Sequence, residues 1–164
     1  MKAAGKRAED SAHGTIIPLE EFMKNPEPGS LPYILNISKG RLDKYIEENF
    51  DDIVMAVKST GILIGNPGWI RQFTDEGVTV YGDYGLNAFN SQCVKAYEEI
   101  GVEMLYLSHE TGIADDRFVK ELGDRGDRDV PLMITEHPLQ TEHLVDRKGE
   151  VHSVVRAGDK YLIF

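Results

Sequence analysis

The chain has one cysteine, Cys93, and no apolar run long enough to span a bilayer. A single thiol excludes an intrachain disulfide, a CxxC redox pair and any multi-cysteine metal or iron–sulfur site, and it fits a reducing, cytoplasmic setting. Without ~20 consecutive apolar residues there is no transmembrane-helix candidate. The basic start Met1-Lys2-Ala-Ala-Gly-Lys6-Arg7 runs into Ala8-Glu9-Asp10-Ser11 rather than an apolar signal core. Positive charge is also scarce: 18 Lys and Arg face 28 Asp and Glu, a formal net charge of -10. That balance argues against a general nucleic-acid-binding surface, though a net sum does not exclude a local basic patch. The expectation is an acidic, cytoplasmic, non-membrane protein with no bound cofactor. A length of 164 residues suits one domain, and burying roughly 70% of the unfolded surface gives such a domain a core without staples.

Between Gly61 and Gly149, short apolar strands with polar ends alternate with helical patterns. Gly61-Ile-Leu-Ile-Gly-Asn66, Val78-Thr-Val-Tyr-Gly-Asp83, Val102-Glu-Met-Leu-Tyr-Leu-Ser108 and Val130-Pro-Leu-Met-Ile-Thr-Glu136 read as successive strands of a parallel α/β sheet. In such sheets, binding and chemistry sit in the loops after the carboxyl ends of the strands. Residues 1–14 are expected to be a disordered tail and 15–30 a lead-in segment, with the α/β domain covering 31–164. Leu31 to Asn36 is a further strand candidate, Ser38 to Phe50 a helix, and Asp51 to Ser59 ambiguous between the two. After Asp83 the apolar spacing of Phe89, Cys93, Ala96, Tyr97 and Ile100 predicts a helix ended by Gly101 and capped by Asn87 or Asn90. Another helix is expected over 115–122, and three short segments from Glu142 to Phe164 carry antiparallel hairpin signals.

Five segments taken in order are more specific than the fold pattern. They are Gly65-Asn66-Pro-Gly68, Gly82-Asp83-Tyr84-Gly-Leu86-Asn87-Ala-Phe89-Asn90-Ser91, Leu107-Ser108-His-Glu110, Met133-Ile-Thr-Glu136-His137-Pro-Leu139, and Val145-Asp146-Arg147-Lys-Gly149-Glu150. Together they resemble the collagenase-like peptidases of unknown catalytic type, peptidase family U32, across 31–155. The resemblance implies a modified (β/α)8 barrel with its pocket at the strand carboxyl ends, and a hydrolase acting on peptides. Other branches of that family look like hydroxylation factors acting on RNA bases or small aromatic quinone precursors. Iron–sulfur relatives place cysteines after the Glu-His position, whereas Glu136 to Asp146 here runs straight across without one. About four strands cannot close a barrel that needs ~8, so the expected fold is a partial or modified barrel with a C-terminal antiparallel hairpin. A homo-oligomer, or a partner supplying the missing strands, would cover its open edges.

The site expected from these residues has Glu110 and Glu136 as water-activating carboxylates, and His109 and His137 as proton-transfer or charge-stabilising groups. Asp83, Asn87 and Asn66 would bind a peptide or small-molecule ligand, with Asn66-Pro67-Gly68 also able to turn backbone amides toward an anion. Each has a plainer reading as a cap, turn or solvated loop residue. Ser91 lacks a nearby sequence partner and is not a proposed nucleophile. His109, His137 and His143 with Glu110, Glu136 and Glu142 offer metal-ligand chemistry without a recognised spacing, so no metal is expected. Asp146 to Gly149 reads as a hairpin turn, and Trp69 and Phe73 as core or interface. The alternative to a peptidase is a noncatalytic binding or assembly module on the same scaffold.

Overall fold

The computed structural model describes residues 15–38, 40–108, 131–157 and 160–164. The chain divides into two compact units, Met1–Gly123 and Asp124–Phe164. The fold is α/β, with a five-stranded parallel sheet in the first unit and a four-stranded antiparallel sheet in the second. Among the described residues no helix is long and apolar enough to cross a membrane.

In the first unit, β1 (Ile16–Pro18), β2 (Leu31–Ile34), β3 (Ile62–Ile64), β4 (Val80–Gly82) and β5 (Val102–Leu105) lie side by side in chain order. Every neighbouring pair is parallel. Parallel neighbours need a crossover. Helix α1 (Leu19–Lys24) supplies the first, α2 (Arg41–Glu48) and α3 (Phe50–Val57) the second, α4 (Ile70–Asp75) the third and α5 (Ser91–Glu99) the fourth. The strand residues explain why both faces of the sheet are buried. In β3, Ile62 and Ile64 join Ile34, Val80 and Val102 in the cluster that holds the helix residues Ile46, Ile53, Ile70 and Phe73. Leu63, between them, belongs to a second cluster with Leu31, Tyr81 and Tyr106, flanked by Tyr33, Tyr84 and Met104.

Two expectations for this unit change and two open alternatives are resolved. The lead-in is not a lead-in, since Ile16–Pro18 pairs with Leu31–Tyr33 as the first strand of the sheet. Its backbone pairs with the free side of the second strand. The ambiguous segment after Asp51 is helix α3, whose Ile53 and Val57 are fully buried at helical spacing. Phe89 precedes α5 and is 50% exposed, so it lies outside that helix's apolar face. Asn90 rather than Asn87 caps α5, its Oδ1 accepting from the amides of Gln92 at 3.0 Å and Cys93 at 2.9 Å.

In the second unit, β6 (Met133–Thr135), β7 (His143–Val145), β8 (Val151–Ala157) and β9 (Lys160–Ile163) are ordered β6-β9-β8-β7, all antiparallel. This corrects the expectation of another parallel strand over Val130 to Glu136. Met133–Thr135 pairs instead with Tyr161–Ile163. The β7–β8 hairpin is closed by Asp146-Arg147-Lys148-Gly149, with the Gly149 amide donating to the Asp146 carbonyl at 3.1 Å and Gly149 at φ +87°. Asp at the first position and Gly at the fourth is the residue pattern of a type I turn followed by a left-handed bulge residue. The tail 1–14, the helix expected over 115–122 and the loop 123–129 lie outside the described residues.

Candidate functional site

The parallel sheet ends in polar residues on one edge. Chain direction puts Asn36 after β2, Gly65 and Asn66 after β3, Asp83 after β4 and Ser108 after β5. The backbone ties these ends together. The Gly65 amide donates to the Ile34 carbonyl, the Asp83 amide to the Ile64 carbonyl, and the Ser108 amide to the Ala88 carbonyl, each at 2.9 Å. Asp83 is 3% exposed and Ser108 6%. Burial disfavours the charged carboxylate unless polar groups surround it, and Asp83 does take part in polar interactions.

Close approach of two glycines seals this edge. A Cβ added at Gly85 would lie 2.4 Å from the Asn36 Cβ and 3.0 Å from the Gly65 carbonyl oxygen. A Cβ at Gly65 would lie 2.8 Å from the Asn36 amide nitrogen. Asn36 is therefore covered by the two loops that follow it in the sheet. Its Oδ1 is shielded from solvent and has no hydrogen-bond partner among the described residues. A buried acceptor left in that state costs about 1–3 kcal/mol.

A second polar group lies beside this one in sequence and is fully satisfied. Ser38, entirely buried, donates its hydroxyl to Asp43 Oδ1 at 2.7 Å and accepts from Asn66 Nδ2 at 2.8 Å. Trp69 Nε1 donates to Asp43 Oδ1 at 3.0 Å and to Ser38 Oγ at 3.2 Å. Asn66 Oδ1 accepts from the Gly68 amide at 3.0 Å. These bonds clamp the β2–α2 loop to the turn that starts α4. The Asn66 side chain, expected to bind ligand, is engaged in holding the loops.

Of the residues expected in the site, Asp83 is buried at the carboxyl edge, whereas Asn87 is exposed and sits at φ +52°. The Asn87 amide donates to the Tyr84 carbonyl at 2.9 Å. Asparagine tolerates this left-handed conformation better than most residues, so the position is that of a turn end. His109 and Glu110 lie outside the described residues. Glu136 and His137 follow β6, a strand of the antiparallel sheet, and both are exposed. The His137 amide donates to Thr135 Oγ1 at 3.0 Å. The premise that Glu136 ends a strand of the parallel sheet therefore does not hold. Asn36 and Ser38 were not singled out by sequence. The usable signal was Asn36's place just past an apolar strand, the same signal that picked out Asp83.

In the second unit, Asp146 Oδ1 accepts from the amides of Lys148 and Glu150, each at 2.8 Å. The Glu150 amide, aided by those of Lys148 and Gly149 and by nearby His152, holds the Asp146 carboxyl below the usual carboxylate range. A depressed folded value means that ionised Asp146 contributes hairpin stability above the unfolded carboxylate pKa, and that this is lost as pH falls through the folded value. A carbon-detected titration is expected to place the Asp146 midpoint below that of an unfolded-chain aspartate. A midpoint at or above it would show that the turn amides do not favour the anion.

A scan against protein-family models, a search of curated proteins and a search of solved structures each return no match.

Proposed function

We propose that the chain is a binding module on a barrel-type α/β scaffold, taking a peptide or another small polar ligand with N–H donors at the carboxyl edge of its parallel sheet. The observation that carries this reading is the buried Asn36 Oδ1, two residues past the end of β2 and without a hydrogen-bond partner among the described residues. An acceptor of this kind, on a sheet edge that also carries buried Asp83 and Ser108, is matched by a ligand N–H. The Gly65 and Gly85 loops that cover it must part for the ligand to enter. Glycine-rich loops at strand carboxyl ends are where such movement is accommodated. Peptide hydrolysis is the activity implied by the resemblance to the collagenase-like peptidases. It would require Glu110 or Glu136 to activate water, and the same experiment separates it from binding alone.

The probe is an equimolar pool of unmodified tetrapeptides added to the full chain. Trp69 reports binding, because it is the only tryptophan and its indole N–H bonds to Ser38 in the β2–α2 loop. Saturable quenching or a wavelength shift is expected, and mass spectrometry of the pool reads cleavage. Asn36→Leu should abolish the fluorescence response while raising stability by about 1 kcal/mol, since an apolar near-isostere removes the unsatisfied acceptor. An unchanged response in Asn36→Leu overturns the reading. Cleavage that disappears in Glu110→Gln or Glu136→Gln would establish the hydrolase instead.

A further inference from the structure

We propose that Asp146, Glu150 and His152 form a site for a divalent transition-metal ion of the zinc class at the tip of the β7–β8 hairpin. One donor atom from each side chain lies within 4.8 Å of the others. Donors about 2.0–2.2 Å from a tetrahedral ion stand roughly 3.3–3.6 Å apart, so rotations of about one ångström close the set. Glu150 is exposed and at liberty to make that rotation.

The turn accounts for part of this cluster only. It uses Asp146 Oδ1 and Gly149, and it requires no carboxylate at Glu150 and no imidazole at 152. The second oxygen of Asp146 remains open to a metal. Two carboxylates this close repel one another, and neither has an ion-pair partner among the described residues. A divalent cation between them would offset that repulsion.

The position of His152 supplies a separate reason. Its Nδ1 lies 3.2 Å from the Phe164 carbonyl oxygen, outside the cluster. A carbonyl only accepts, so Nδ1 is the donor in this contact and Nε2 is the nitrogen left for a metal. Metal-ligating histidines are commonly oriented by such a backbone acceptor, which fixes the tautomer and makes the ring a better donor. One imidazole and two carboxylates leave coordination open for water or a ligand, and the nitrogen donor favours zinc-class ions over calcium or magnesium.

Zinc chloride titrated into the metal-free full chain, followed by calorimetry, is expected to give one site whose occupancy raises the melting temperature. Asp146→Asn keeps an oxygen for the turn amides, and Glu150→Gln alters an exposed side chain, so both should remain folded. Each, like His152→Gln, should weaken binding by about tenfold or more. His143 is the control: it pairs with Ser153, next to the Leu144–His152 pair, and strand alternation puts it on the opposite face. His143→Gln should bind as the native chain does. The proposal is overturned if zinc binds Asp146→Asn and Glu150→Gln as tightly as the native chain. Binding lost in His143→Gln, or calcium bound as tightly as zinc, would equally overturn it.

Discussion

Gly85→Ala is expected to destabilise the first unit by about 1–3 kcal/mol, the range for forcing extra volume into a packed site, and to eliminate peptide-pool binding. The added methyl would meet the Asn36 Cβ at 2.4 Å, and a Cβ cannot swing aside because the backbone fixes it. Relief must come from separating the β2 end from the loop after β4. Hydrogen bonding there runs through Gly65 to Ile34 and through Asp83 to Ile64, so the strain falls on the edge where ligand is proposed to sit. Urea unfolding monitored by circular dichroism measures the effect. A loss below about 0.5 kcal/mol, the scatter of ordinary surface substitutions, would show that the glycine contact is not tight.

Trp69→Ala should cost more, about 3–5 kcal/mol, as large aromatic deletions from a core do. Trp69 is 6% exposed and packs in the main cluster, so truncation leaves a cavity. Its indole N–H also donates to Asp43 and Ser38. Trp69→Phe separates the two contributions, because the ring stays while the N–H is lost. That variant should lose only about 1–2 kcal/mol, the cost of weakening a buried network that retains its other bonds. Equal losses in the two variants would mean that the hydrogen bonds dominate and the packing contributes little.

Local signals carried the sequence reading furthest. The helical spacing of Cys93, Tyr97 and Ile100 specified α5 and narrowed its cap to Asn87 or Asn90, of which the structure uses Asn90, because both depend on residues within a few turns of one another. The all-apolar run Ile62–Ile64 specified a strand buried on both sides. Partner choice was not legible. Residues 133–135 are apolar and strand-forming whether they join a parallel or an antiparallel sheet, and only the pairing with Tyr161–Ile163 decides it. Ile16–Pro18 ends in a proline, which is confined to strand ends and edges. The structure puts it at the end of an edge strand, where that rule is met.

The site followed the same division. Asp83 was legible because a polar residue after an apolar strand marks a carboxyl edge. Asn36 had the same mark, but its importance comes from Gly65 and Gly85 closing over it, and no spacing encodes that contact. Asn66 and Asn87 were read as ligand groups because asparagine serves binding and turns alike. Their hydrogen bonds and backbone angles show them in loop-holding and turn positions in this chain.

The two sheets also differ in when they are able to form as the chain leaves the ribosome. In the parallel sheet each strand pairs with the one just before it in sequence. Every newly emerged β–α segment therefore has its docking surface already present, and the unit grows from its N-terminus without waiting for later residues. In the antiparallel sheet β7, β8 and β9 also pair in chain order, and only β6 departs from it. Strand β6 must wait for β9, so its exposed Met133 and the preceding Leu132 stay unpaired until Tyr161–Ile163 has been made.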